Sequence, residues 1–225
     1  MQSSPAATAT APGTPPPPKL AEHFASIEVQ QHAARLGMWL FLATEILLFA
    51  GLFVCYANYR YTFPAGFAAA SRHLNLMLGT INTIVLITSS FTAAMAVHYA
   101  REAKNKMVVL MFVLTIAMAC GFLVIKYFEY AHKFHEHTLP GPYFASTDPT
   151  LQLPGVPMYF SIYFLSTGLH AFHVIVGMIV LAWVSLKAMR NQFSARDFTA
   201  VELGSMYWHL VDLVWIFLFP MLYLI

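Results

Sequence analysis

The chain reads as an all-α integral membrane bundle of five transmembrane helices, and three observations predict it. Of its 225 residues, 59% are hydrophobic and only 10% charged, whereas a soluble domain displays about 25% charged residues. Five apolar runs, roughly residues 36–59, 74–99, 107–130, 159–184 and 203–224, each approach the ~20 residues that cross a hydrocarbon core. Five crossings leave the termini on opposite sides, and basic residues choose which. The tail and the second and fourth connections hold Lys19, Arg35, Arg101, Lys104, Lys106, Lys187, Arg190 and Arg196; the other side holds Arg60, Arg72, Lys126 and Lys133. That bias, strongest in the short 101–106 loop, places the N-terminus in the cytoplasm and the C-terminus outside. The net charge of +2 gives no sign of a nucleic-acid partner.

Residues 1–34 differ in kind from the rest. They open with a Ser/Ala/Thr/Pro tract containing the prolines at 15–18 and lack the basic start and apolar core of a signal peptide. A disordered, partly polyproline cytoplasmic arm is expected. Leu20, Phe24 and Ile27 recur at helical spacing, which suggests a short interfacial helix before the transmembrane domain of residues 35–225.

Span one carries Glu45 within WLFLATEILLF, ~15 Å along the helix from Arg35 and close to mid-bilayer. A bare carboxylate is costly there, so Glu45 calls for a proton, a partner helix, or a lipid head group or water. It reads either as a proton-relay or lipid-contacting acid or as a neutral acid that serves interhelical packing. In span two, Asn75, Gly79, Asn82, Leu86, Ser89 and Ala93 recur at steps of three and four, a small-and-polar stripe that lets membrane helices approach closely. Span three ends in KYFEYAHKFHEH, where Lys126 and Glu129 are three apart and can pair on one face, with Lys133 four residues beyond Glu129. His132, His135 and His137 follow; no thiolate accompanies them, and an interfacial location accounts for them better than a metal does.

Span four carries GLHAFHVIVG, with His170 and His173 three apart and Gly168 and Gly177 alongside to admit a neighbour. His173 lies ~20 Å from Lys187 along the helix, a depth comparable with that of Glu45, so a carboxyl–imidazole contact is allowed. The rival reading, bis-histidine haem ligation, would need a second helix to supply His98 or His209, both nearer the cytoplasmic face. In span five Trp208, Asp212 and Trp215 share a stripe and His209 lies three residues before Asp212, which reads as a polar clamp fixing helix register. Pro220 near the outer end is tolerable where neighbours cover the freed carbonyl. The two cysteines, Cys55 and Cys120, fall inside apolar spans and read as small packing residues. The outer connection, residues 131–157, is dense in Pro and Gly and reads as an ordered cap without regular structure. A phosphate loop, a dinucleotide glycine fingerprint and a paired-cysteine motif are all missing, so catalysis within this chain alone is not expected.

From Arg35 to Ile225 the ordered segments RLGMWLFLATEILLFAGLF, LNLMLGTINTIVLITSSFT, FLVIKYFEY, STGLHAFHVIVG and ELGSMYWHLVDLVWIFLF resemble subunit III of the haem-copper respiratory oxidases, the cytochrome c oxidase family, in its short five-helix bacterial form. The resemblance implies a non-catalytic core subunit of a proton-pumping terminal oxidase in a bacterial inner membrane. Such a subunit binds no haem or copper itself, holds phospholipid, and supports proton uptake into the catalytic subunit. Its partners would be the haem-copper subunit I, the electron-accepting subunit II and a small subunit IV. Glu45 matches the family's intramembrane acid, Arg35 a basic residue below it, His170 and His173 its histidine pair, and Lys187 the site of a lipid-contacting arginine in the long form. Glu202, His209 and Asp212 match the polar set of the last helix, with Lys126, Glu129 and Asn82 as further interhelical contacts. The long form has two additional N-terminal helices beside its lipid cleft, where this chain has the proline-rich arm. Quinol oxidases and nitric oxide reductases have similar short third subunits; a haem-binding anchor and an independent proton channel using Glu45 and His173 are the alternatives of another class.

Overall fold

The computed structural model describes residues 20–136, 138–139, 144, 148–194 and 197–225. The proline-rich arm up to residue 19, with Lys19, and also His137 and Arg196, lie outside them. Among the described residues there are six α-helices and no strands: α1 (Ile27–Thr62), α2 (Pro64–Ser71), α3 (Leu76–Arg101), α4 (Asn105–His135), α5 (Val156–Met189) and α6 (Thr199–Tyr223). All except α2 are long and apolar enough to cross a membrane.

Local chemistry sets the helix ends. The Ser26 side chain caps α1 by accepting from the Val29 amide, and Glu28 in the first turn complements the helix dipole. From Ile27 the helix runs unbroken to Thr62; of the residues expected to form a separate interfacial helix, Leu20 and Phe24 precede α1 outside any helix and Ile27 is its first residue. Phe63 leaves the helical region, at φ −128° and ψ 59°, because Pro64 follows it, and Pro64 at the first position of α2 restarts helix over the Ala-rich stretch after it. This short helix sits where the spacing of apolar runs gave only a loop. Asn75, placed by sequence in the span-two stripe, instead caps α3 by accepting from the Leu78 amide. Gly155 enters α5 at φ 89° with Phe63 packed directly over it, so a Cβ there would both strain the backbone and clash.

Helices α3, α4, α5 and α6 form a closed ring in which α3 packs on α4 and α6, and α5 packs on α4 and α6. Helix α6 is the most buried of the spans, while α1 leans on α5 and α6 from outside and is the least buried. Helix α6 is drawn in at two glycines: a Cβ on Gly79 would lie 2.9 Å from the Phe219 and Tyr223 rings, and one on Gly177 would lie 2.9 Å from the Trp208 ring. Gly168, expected to play the same part, has only the Tyr130 hydroxyl near it, at 3.9 Å.

The C-terminal end of α6 would leave its last carbonyls without partners in an apolar medium. Three hydroxyls from three helices satisfy them: Tyr56 donates to the Met221 carbonyl, and Ser71 and Tyr159 both donate to that of Leu222, at 2.9 and 2.6 Å. Cys55 and Cys120 differ from expectation, since both lie on exposed helix faces. For a chain whose outward faces meet acyl chains, a thiol is as acceptable there as in the core.

Candidate functional site

Two polar groups and one apolar groove lie between α1, α5 and α6. The structure brings Glu45 and His173 together: His173 Nε2 lies 2.8 Å from the Glu45 carboxylate oxygen, and Nδ1 lies 2.8 Å from the Leu169 carbonyl. A carbonyl only accepts, so Nδ1 carries hydrogen, and a second proton bridges Nε2 and the Glu45 oxygen. Phe49 packs edge-on against the imidazole at 5.3 Å, and Tyr207 donates to the His173 carbonyl at 3.4 Å. The pair links the peripheral α1 to α5 while remaining slightly exposed, at 16% for Glu45 and 10% for His173.

From this pair a groove of about 350 Å³ runs between α1, α5 and α6, lined by Met38, Phe41, Val176, Val180, Trp183 and Tyr207 among others and almost wholly apolar. Met38 and Phe41 precede Glu45 on one face of α1, and Val176 and Val180 follow His173 on one face of α5. At the far end Arg35 bonds Glu202 through Nε at 3.0 Å and lies within 2.9 Å through its second nitrogen, joining α1 to α6. Lys187 lies 3.7 Å over the ring of Trp183, a groove residue, so its ammonium is held at the groove mouth by a cation–π contact. The arrangement is an apolar trough with cations at one end and a proton-sharing pair at the other.

A second polar cluster joins α4, α5 and α6. The Lys126 ammonium donates to Glu129 at 2.9 Å, to the Tyr223 hydroxyl at 2.7 Å and to Tyr163 at 3.5 Å, and lies 4.7 Å over the Trp215 ring. Tyr223 donates in turn to the other Glu129 oxygen at 2.5 Å. Every charge in this buried cluster is therefore paired. Lys133, which the spacing aligns with Glu129, instead donates to Glu136 at 2.6 Å and to the His73 carbonyl at 2.7 Å.

The last helix meets α3 through side chains at matched heights: Ser205 to the Ala93 carbonyl, His209 to Ser90, Trp208 to Ser89 and Trp215 to Thr83. Two of the residues expected to make polar contacts between helices do not. Asn82 and Asp212 are buried, but neither amide atom of Asn82 and neither oxygen of Asp212 has a hydrogen-bond partner. His170 is likewise buried with both nitrogens unpartnered, held between the rings of Phe122 and Trp215. Sequence reasoning passed over Tyr223, Ser90 and Tyr207. Their partners are 34 to 119 residues away in the chain, beyond any local spacing rule.

Among the described residues no three His, Cys, Asp or Glu side chains converge to hold a metal ion. The ring nitrogens of His173 and His209 are committed to protein partners, and the faces of His170 are covered by aromatic rings. His132, from the histidine cluster at the end of α4, pairs with Glu136 at 3.1 Å. Outside the spans, Asp148 accepts from the Thr150 hydroxyl and amide and from His73, which holds its carboxyl below the ordinary value of 3.8.

Comparison with known proteins agrees with this architecture. Residues 21–225 match the family described as Cytochrome c oxidase subunit III. Over 192 residues the chain is 35% identical to the cytochrome c oxidase subunit 3 of Corynebacterium diphtheriae, covering 84% of this chain and 87% of that protein. It is 30% identical over 203 residues to the quinol oxidase subunit 3 of Bacillus spizizenii, covering 89% and 92%. The same identity and coverage hold for the quinol oxidase subunit 3 of Bacillus subtilis. A five-span all-helical chain matched over nearly its whole length in this way belongs to the cytochrome c oxidase subunit III family.

Proposed function

We propose that the chain is the non-catalytic subunit III of a proton-pumping terminal oxidase in a bacterial inner membrane, with its N-terminus in the cytoplasm. There it packs against the haem-copper subunit I, beside the electron-accepting subunit II and a small subunit IV. The observation that carries this reading is the trough between α1, α5 and α6, with Arg35 and Lys187 at its mouth and the Glu45–His173 pair at its inner end. Its size and apolar walls suit acyl chains, and cations at the mouth suit a phosphate head group. Phospholipid is the ligand we assign to it; haem and copper belong to the partner subunits. Lys187 acts on the phosphate as a point charge, without the two-pronged grip of an arginine.

The Glu45–His173 pair holds one shared proton beneath the lipid and supports proton uptake by the catalytic subunit. The test is Glu45→Ala in the purified oxidase. Haem spectra stay as in the wild type, while bound phospholipid or sustained turnover falls; loss of haem absorbance defeats the non-catalytic reading. Cytochrome c is the proposed electron donor. The quinol oxidase names of the Bacillus relatives support the second reading, quinol. Copper ligands in the neighbouring subunit II decide for cytochrome c, and their lack decides for quinol.

A further inference from the structure

Asp212 lies 2% exposed on α6, and neither of its oxygens has a partner at hydrogen-bond geometry. Trp208 and His209, four and three residues before it on the same face of α6, meet Ser89 and Ser90 of α3, which places these two hydroxyls on the seam beside Asp212. Ser89 donates its only hydroxyl proton to the Leu86 carbonyl at 2.7 Å and accepts from the Trp208 indole at 3.1 Å. Ser205 donates to the Ala93 carbonyl at 3.1 Å, so its oxygen accepts from His209 Nε2 at 3.2 Å. With hydrogen on Nε2, a neutral His209 has an accepting Nδ1, and Ser90 donates to it at 2.7 Å. Both hydroxyls beside Asp212 have thus committed their protons elsewhere and present only lone pairs to it. An ionised carboxylate there would face acceptors alone, whereas a carboxylic acid has a donor to offer them.

His209 and Ser205 also line a polar groove of about 320 Å³ between α3 and α6, together with His98, Arg101 and Glu202. These are the charged and titratable groups that face His209 from α3 and α6, and Arg35 reaches Glu202 from α1. We propose that Asp212 is a buried proton-storage acid loaded and emptied from this groove through Ser90 and His209. In the stored state Asp212 carries the proton and His209 is neutral. On release the Asp212 O–H proton passes to the Ser90 oxygen while the Ser90 proton passes to His209 Nδ1. That leaves an aspartate facing a Ser90 that now donates to it and a histidinium that gives a proton to water in the groove. Ser90 ends with one proton; the neutral Asp212 and His209 become an aspartate–histidinium pair with no change in net charge until His209 gives up its proton to the groove. This inference is independent of the lipid trough and of the electron donor.

The chain contains three aspartates, Asp148, Asp197 and Asp212, and only Asp212 lies within a span. The test is infrared spectroscopy on the full-length chain in lipid nanodiscs at neutral pH, with carbon-13 placed in the aspartate carboxyl groups. Wild type should show the isotope-shifted carbonyl stretch of a protonated carboxyl, and the band should shift down on transfer to D2O. Asp212→Asn removes it. Ser90→Ala keeps the band but slows its D2O shift about tenfold or more, because exchange is left to local opening of the α3–α6 seam; Ser90→Thr restores the rate. A labelled wild type without a protonated aspartate band overturns the storage and needs no variant to fold. A Ser90→Ala protein that exchanges as fast as wild type overturns the relay.

Discussion

Lys126 is the residue on which the end of the bundle around the C-terminus of α6 depends most sharply, because its ammonium is buried with Glu129 and touches α5 and α6 as well. Breaking a buried pair from one side leaves an uncompensated charge, which costs about 3–5 kcal/mol, whereas replacing both partners by apolar residues of similar size is often close to neutral. Lys126→Met is therefore expected to destabilise the chain by about that amount in thermal unfolding, and Lys126→Met with Glu129→Leu to recover most of it. A double variant as unstable as the single one would mean that the charges themselves hold the fold. Asp148 gives a residue-scale prediction outside the membrane. Its carboxyl is lowered by the Thr150 hydroxyl and amide and by His73, so its contribution to holding the turn that follows it is complete above the ordinary value of 3.8. It is lost only as pH falls from there through the lowered value. An NMR titration of the Asp148 carboxyl should show a midpoint below 3.8, and Thr150→Val should move that midpoint upward.

Between elements, the glycines of α5 separate what spacing can reveal from what it cannot. Gly168 and Gly177 look alike in GLHAFHVIVG, yet a Cβ meets the Trp208 ring at 2.9 Å from Gly177 and nothing nearer than 3.9 Å from Gly168. Gly177→Ala should cost about 1–3 kcal/mol through overpacking, while Gly168→Ala should be neutral or slightly stabilising because alanine is the better helix former. Melting curves of the two variants side by side check this. The same division runs through the rest of the fold. Five spans, the Lys126–Glu129 pair and the matched depths of Glu45 and His173 were legible because each follows from hydropathy or from helical rise within one or two segments. The registry of α6 on α3 was not, since Ser90 meets His209 across 119 residues and only packing selects which rungs face each other. Helix α2 escaped because an apolar-run criterion sees nothing in eight residues restarted by a proline. The empty hydrogen-bonding of Asp212 escaped for a third reason: sequence reveals that an acid is present, and only geometry reveals that its neighbours' protons are spent.

At the scale of the whole molecule, a tight four-helix ring carries a loosely attached fifth helix, and the trough is the space that looseness leaves. Helix α1 is held by few polar ties, chiefly Arg35–Glu202, Glu45–His173 and the Tyr56 hydroxyl at the Met221 carbonyl. A lipid in the trough would therefore contribute to keeping α1 in place, and loss of lipid should loosen α1 before the ring. If Lys187 holds a head-group phosphate, its charge is worth on the order of 1 kcal/mol near the membrane surface, or roughly fivefold in lipid retention. Lys187→Ala should lower the phospholipid that copurifies with the chain by about that factor, and Lys187→Arg should raise it, because the planar guanidinium grips two phosphate oxygens at once. Val180→Trp fills the trough without touching any charge and should expel the lipid outright. Native mass spectrometry counts the bound lipid, and hydrogen exchange on α1 reports whether that helix loosens with it. If Val180→Trp emptied the trough and α1 stayed as protected as before, the polar ties alone would hold the helix, and the lipid would be a passenger in the fold.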